Sequence, residues 1–122
     1  MILNDRQIRE LAEDGMIRPF VGQQVRERAD QMSYPRKVVS YGLSSFGYDI
    51  RIGTTFQVFH NGYGTTVDPK AFDQKAMAEV EVPPHEFILI PPNSFALGLS
   101  METFDLLRDI VTICLGKSTY AR

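Results

Sequence analysis

The fold and the function are decided by the last stretch of the sequence, Val111-Thr112-Ile113-Cys114-Leu115-Gly116-Lys117-Ser118-Thr119-Tyr120-Ala121-Arg122. Its first five residues are apolar or β-branched at odd and even positions alike, which is typical of a strand that is buried on both faces. We therefore expect residues 111–115 to form a buried strand, in which Cys114 is a small buried hydrophobic residue.

The seven residues after this predicted strand have the chemistry of an anion site. Gly116 has no Cβ, so a ligand can approach the backbone closely. Lys117 supplies a point charge, Ser118 and Thr119 supply neutral hydroxyls, and Arg122 supplies a guanidinium that can bind two oxygens. Spacing alone leaves two interpretations open, an ordinary polar turn after a strand or a site for a polyphosphate.

A P-loop is excluded, although Gly116-Lys117-Ser118 has the residues that end that motif. The P-loop pattern requires another glycine five residues before Gly116. Val111 occupies that position, so the phosphate-binding loop of nucleoside triphosphatases is absent here.

The composition narrows the class of protein. The 122 residues are 43% hydrophobic, which fits a single domain over residues 1–122. A net charge of −2 gives no electrostatic support for a nucleic-acid or membrane-surface partner. One cysteine excludes a disulfide framework and favours a reducing compartment. Because no signal peptide or long apolar run is visible, we expect a cytoplasmic protein.

The chain begins with a helix signal and continues with strand signals. Asn4 and Gln7 have the spacing of a capping box, and Gly15 suits the position just after a helix. Residues 24–37 are polar and charged and predict a solvated loop, and residues 102–108 predict one helical turn. Strands are predicted at residues 48–52, 55–60, 79–82, 87–90 and 95–101. This pattern indicates a mainly β barrel or sandwich with one short N-terminal helix.

Residues 111–122 closely resemble the signature of bacterial dCTP deaminases, a branch of the trimeric dUTPase superfamily. Two further segments resemble the same family, Ser44-Ser45-Phe46-Gly47-Tyr48-Asp49-Ile50-Arg51 and Pro91-Pro92-Asn93-Ser94-Phe95-Ala96-Leu97. The resemblance thus spans nearly the whole chain. It implies a dUTPase-like distorted jelly-roll, assembled as a homotrimer with active sites between subunits.

The resemblance implies deamination of dCTP to dUTP and ammonia, in the biosynthesis of the pyrimidine deoxynucleotides dUMP and dTTP. In that family the segment matching Lys117, Ser118, Thr119, Tyr120, Ala121 and Arg122 binds the nucleotide. By the same match, Ser118 holds the reactive water or the base, and Arg122 holds the phosphates or the transition state. The expected partners are dCTP as substrate, Mg²⁺ accompanying its triphosphate, and dTTP as a candidate regulator.

Zinc is not expected in the chemical step. Zinc-dependent cytidine deaminases use a His-x-Glu element and a Pro-Cys-x-x-Cys element. Here His85 is followed directly by Glu86, His60 has no glutamate two residues later, and only one cysteine exists. The resemblance implies instead a glutamate base on a strand beyond the segment 116–122. Since the sequence stops at Arg122, we expect a C-terminally truncated portion of a longer enzyme, inactive by itself.

Two alternatives to deamination remain open at this stage. The first is a dUTP diphosphatase, or a bifunctional enzyme with both activities, because the superfamily shares the fold and the phosphate segment. The second is a β-domain that binds nucleotides without catalysis. Asp49 also has two interpretations, contact with a metal-triphosphate or plain surface, and strand alternation favours the surface.

Overall fold

The computed structural model describes residues 1–29, 35–60, 62, 66–83 and 86–117. These residues form one α-helix, one short 3-10 helix and eight β-strands, which confirms a mainly β chain with a short N-terminal helix. They group into two compact units, which are Met1–Arg51 with Met101–Arg122 (unit 1) and Ile52–Ser100 (unit 2). The described strands form sheets of two, three and three strands, and none of these sheets closes into a barrel.

Unit 1 begins with helix α1, Asp5–Glu13, whose capping box is formed as predicted. Asn4 Oδ1 accepts a hydrogen bond of 3.0 Å from the Gln7 amide, and Gln7 Oε1 accepts one of 3.1 Å from the Asn4 amide. Gly15 follows the helix with φ +104°, a conformation that glycine adopts without strain. The core of this unit consists of Ile8, Ala12, Met16, Ile17 and Leu43. No helix in the described part of the chain is long and apolar enough to cross a bilayer.

Two antiparallel sheets complete unit 1. Its strands are β1 (Ile17–Arg18), β2 (Val25–Ala29), β3 (Pro35–Ser44), β4 (Gly47–Asp49) and β8 (Thr103–Phe104). Strand β3 is central between β2 and β4, and β1 pairs with β8. The register places Gly42 opposite Asp49.

The sequence predictions for residues 24–37 and 102–108 are wrong. Residues 24–37 contain β2 and the beginning of β3 instead of a loop, because backbone pairing holds a strand whose Arg26 and Glu27 side chains are exposed. Such a strand has no apolar face for a composition-based prediction to detect. Residues 102–108 contain β8 instead of a helical turn, because β1 supplies a pairing partner distant in sequence.

Unit 2 is a three-stranded antiparallel sheet. Strand β5 (Ile52–Phe59) lies between β6 (Met77–Glu81) and β7 (Ala96–Ser100), and a 3-10 turn at Gln74–Ala76 precedes β6. Strands were predicted near these three positions, and the predictions are confirmed apart from their ends. The predicted strand at 87–90 is wrong: its described backbone pairs with no strand, and Phe87 is 96% exposed.

The predicted buried strand at residues 111–115 is also wrong. The described structure shows these residues without strand pairing, and Val111, Ile113 and Leu115 are each at least 80% exposed. Cys114 is exposed as well, instead of buried. An apolar run becomes a buried strand only where a neighbouring strand and a second surface cover it, and the described residues place neither beside this run.

Candidate functional site

Lys117, the first cation of the predicted anion site, is joined to Asp49 by an ion pair. The Lys117 ammonium also donates a hydrogen bond of 2.6 Å to Ser40 Oγ. Both partners of the ion pair are partly buried, with 31% of the Lys117 side chain and 23% of the Asp49 side chain exposed. Two of the three N–H groups of the ammonium therefore have acceptors within the described residues.

Asp49 is the centre of a connected group of polar side chains. Its Oδ2 atom accepts hydrogen bonds from Gln24 Nε2 at 2.9 Å and from Ser40 Oγ at 3.3 Å, in addition to the one from Lys117. Gln24 Oε1 in turn accepts two hydrogen bonds from Arg26, at 3.2 Å and 2.8 Å. We call Gln24, Arg26, Ser40, Asp49 and Lys117 the Asp49 cluster. Every member of the cluster belongs to unit 1.

The geometry of β3 explains how Gln24 reaches Asp49. Gly42 lies opposite Asp49 on β3 and has φ +95°, in the region that favours glycine. A Cβ at Gly42 would collide with the carbonyl oxygen of Gln23, and it would lie 3.1 Å from a methyl group of Val21. The absence of a side chain at Gly42 thus lets the segment before β2 lie against β3. This close approach places the next residue, Gln24, beside the carboxylate.

The surroundings of Asp49 favour its charged form. Burial is the largest single influence on the Asp49 pKa and raises it, because a charged group loses hydration. The hydrogen bonds from Lys117, Gln24 and Ser40, with the positive charge of Lys117, together outweigh burial and hold this pKa below its ordinary value of 3.8. The Asp49 carboxylate is therefore ionised at neutral pH, and it offsets the charge of Lys117 locally.

The sequence prediction for Asp49 as plain surface is wrong. Its alternation on a strand indicated exposure, but a cation 68 positions later binds it in a half-buried setting. Gln24 and Ser40 were not predicted either, because no local pattern connects them to Lys117. One signal in the sequence could have connected Asp49 with Lys117. The segment around Asp49 and the segment around Lys117 both resemble the same family.

Five residues of the predicted nucleotide-binding segment lie outside the described residues, namely Ser118, Thr119, Tyr120, Ala121 and Arg122. Their roles in binding and in catalysis stay predictions. Lys117 is the one member of that segment whose contacts are described.

The described residues contain no ready-made cluster of metal ligands. Among the described residues, no group of three or more His, Cys, Asp and Glu side chains is placed to hold a metal ion. The Oδ2 atom of Asp49 already accepts hydrogen bonds from three side chains. Because Mg²⁺ is commonly held by one or two carboxylates together with substrate phosphate oxygens, the described residues do not by themselves make a resident Mg²⁺ site.

The chain as a whole matches a known protein family. A family model for dCTP deaminase-like proteins matches residues 2–122. The chain is 53% identical over 122 residues to a dCTP deaminase of Leptothrix cholodnii, 52% to one of Alcanivorax borkumensis and 49% to one of Acidovorax sp.. Each match covers 99% of this chain, and the chain spans about 61% of the length of these relatives.

Proposed function

Because the chain belongs to the dCTP deaminase-like family, we propose that it takes part in the hydrolytic deamination of dCTP to dUTP and ammonia. The observation that carries this proposal is the match over residues 2–122. That match includes both Lys117 and Asp49, which lie in contact in unit 1. Two proteins named dCTP deaminase are 53% and 49% identical in sequence to the chain over 99% of its length.

The reaction requires three proton transfers. A base takes a proton from water as its oxygen attacks C4 of cytosine, and an acid protonates the ring nitrogen. The remaining proton of the water then passes to the amino group, the C4–N bond breaks, and the amino group leaves as ammonia. The oxygen of the water becomes the C4 carbonyl of uracil, and no oxidation occurs. We assign the base to a glutamate beyond residue 122, following the family that the sequence resembles. Ser118 then orients the water or the base, and zinc takes no part in the step.

Binding of the triphosphate is assigned to the segment of residues 117–122. Lys117 supplies a positive charge, and Arg122 supplies a fork that can bind two phosphate oxygens. Between them lie Ser118, Thr119, Tyr120 and Ala121, whose hydroxyl and backbone N–H groups are hydrogen-bond donors. Mg²⁺ arrives with the nucleotide as its counter-ion, and no step is assigned to the metal.

The finer features implied by the family belong to the same proposal. They are a single dUTPase-like jelly-roll domain, a homotrimer in the cytoplasm, and regulation by dTTP. The exposed apolar side chains of residues 111–115 support an assembly that covers them, because contiguous exposed apolar surface often marks an interaction site.

The test of deamination is product analysis on the full gene product. The expected result is release of ammonia and dUTP in equal amounts from dCTP, unaffected by a zinc chelator. Release of pyrophosphate from dUTP without ammonia from dCTP would establish the diphosphatase alternative and overturn the proposal. Saturable binding of dCTP without any product would establish a binding domain instead.

Arg122 provides a residue-level test. The Arg122→Ala variant removes charge-assisted hydrogen bonds to phosphate, which are each worth roughly 1.5–3 kcal/mol. We expect its affinity for dCTP to fall by about 10- to 100-fold. Arg108→Ala, which removes an exposed arginine, is the matched control and should retain the affinity of the wild type. Unchanged affinity in Arg122→Ala would remove this residue from the site.

A further inference from the structure

We propose that Asp49 is a positioning residue, which holds the Lys117 ammonium in the orientation that binds a phosphate oxygen of the nucleotide. This inference rests on the proposed function, because it takes Lys117 to be a phosphate ligand. Asp49 itself acts through Lys117 and does not contact the substrate.

The first step of the argument is the use of the Lys117 donors. An ammonium has three N–H groups, and Asp49 and Ser40 accept two of them. Two fixed acceptors determine the direction of the third N–H group. Without them, a lysine ammonium on its flexible four-carbon stem samples many positions. The arrangement therefore prepares one donor for one further acceptor.

The second step is the rigidity of Asp49. Its carboxylate is held by Gln24 and Ser40 as well as by Lys117, and the Gln24 amide is held from its other end by Arg26. The hydrogen-bond directions are consistent, since Ser40 Oγ accepts from Lys117 and donates to Asp49. A carboxylate with several fixed donors is a firm anchor for a mobile cation.

The third step is the sign of the charge effect. An anion close to a phosphate site repels the phosphate, so a carboxylate with no role in orientation weakens nucleotide binding. Its replacement by a neutral side chain must then strengthen binding. A positioning role predicts the opposite, because the ammonium loses its anchor. The direction of the change in affinity thus separates the two roles.

The experiment is calorimetric titration of the full gene product with dCTP and with inorganic tripolyphosphate. For Asp49→Asn we expect both dissociation constants to increase by about tenfold. The estimate is made by analogy with metal sites, where loss of a residue that orients a ligand lowers the affinity by about 10- to 100-fold. Asp109→Asn removes an exposed carboxylate of unit 1 and is the matched control, with affinity close to that of the wild type. Unchanged or tighter binding by Asp49→Asn overturns the inference.

A double-mutant cycle with Lys117→Met tests whether Asp49 acts through Lys117. The expected result is that Asp49→Asn causes no further loss of affinity once Lys117 is replaced. An equal loss in both backgrounds overturns the inference. If Asp49→Asn does not fold by circular dichroism, Asp49→Glu replaces it, since it keeps the charge and moves the carboxylate by one methylene. Weaker tripolyphosphate binding by Asp49→Glu supports positioning, and wild-type affinity overturns it.

The wild-type titration separates failure of the inference from failure of the proposed function. If the wild type binds dCTP and the Asp49 variants bind equally well, Asp49 has no positioning role and the proposed function stands. If the wild type binds neither dCTP nor tripolyphosphate, the proposed nucleotide site is itself overturned, and the inference with it.

Discussion

Glu102 binds both the side chain and the main chain of Arg51. Arg51 Nε donates a hydrogen bond of 2.7 Å to Glu102 Oε1, and the Arg51 backbone amide donates one of 2.9 Å to Glu102 Oε2. The Glu102 side chain is completely buried, and the Arg51 guanidinium carbon lies 5.0 Å from the centroid of the Tyr41 ring. This pair fixes the backbone just after β4, two residues beyond Asp49.

Replacement of Glu102 by alanine should destabilise the protein strongly, because it leaves the Arg51 charge and amide without their acceptor. Removal of one partner of a buried ion pair costs roughly 3–5 kcal/mol. We expect a loss near the lower value, since 24% of the Arg51 side chain is exposed. The measurement is the free energy of unfolding from urea titration.

Glu10→Ala is the control for this measurement. Glu10 pairs with Arg6 across one turn of α1, and both side chains are largely exposed. Such pairs contribute only about 0.3–0.5 kcal/mol, so this variant should be close to the wild type. Equal losses in the two variants would contradict a special role for the buried pair.

Local chemistry made part of this fold predictable from the sequence. The capping box of α1 and its closing glycine depend on residues within one turn of each other, and both were predicted. The strands of unit 2 were predicted from alternation in neighbouring residues, although their ends differ. These features need no information from distant parts of the chain.

Features that depend on distant partners were not predictable. Strand β2 is charged and exists because β3 pairs with it. Asp49 is partly buried and pairs with Lys117, which lies 68 positions later in the sequence. The apolar run at 111–115 illustrates the opposite error, since composition indicates burial without showing what covers the residues. The anion-site chemistry of Lys117 was visible locally, but its anchor was not.

Asn4→Ala should destabilise α1 by about 1 kcal/mol, because the Gln7 amide loses the acceptor that caps the helix. Asn4→Asp keeps an oxygen at the same position and adds a negative charge near the positive end of the helix dipole. That control should match the wild type within a few tenths of a kcal/mol. Thermal unfolding followed by circular dichroism compares the three proteins. A loss in Asn4→Asp as large as in Asn4→Ala would argue against the cap.

Gly42→Ala should be more damaging than an ordinary glycine substitution. The new Cβ would collide with the Gln23 carbonyl oxygen, and alanine is strained at φ +95°. We expect a loss of roughly 2–4 kcal/mol in the free energy of unfolding, by analogy with strained positions and overpacked cores. The displaced segment carries Gln24, so weaker binding of tripolyphosphate should accompany the loss.

Gly47→Ala is the matched control on the neighbouring strand β4. Among the described residues, a Cβ at Gly47 would meet only Ser44 Oγ, at 3.7 Å, and the backbone there needs no glycine. Its effect should lie within about 0.5 kcal/mol, as for other substitutions that create no clash. If the two glycine variants were equally stable, the close approach at Gly42 would not constrain the fold.

The pH dependence of stability should report the ion pair between Asp49 and Lys117. A carboxylate whose pKa is lowered by folding stabilises the protein above its unfolded-state pKa, and this stabilisation is lost as the pH falls through the folded-state pKa. The stabilisation by Asp49 should therefore begin to decrease as the pH falls to about its ordinary pKa of 3.8, and it should continue to decrease at lower pH. We therefore expect Asp49→Asn to be less stable than the wild type at about pH 6, with a smaller difference at about pH 3. Urea titrations at both pH values measure the difference, and Asp109→Asn should show almost none at either. A difference that stays constant or grows on acidification would show that the charged carboxylate does not stabilise the folded protein.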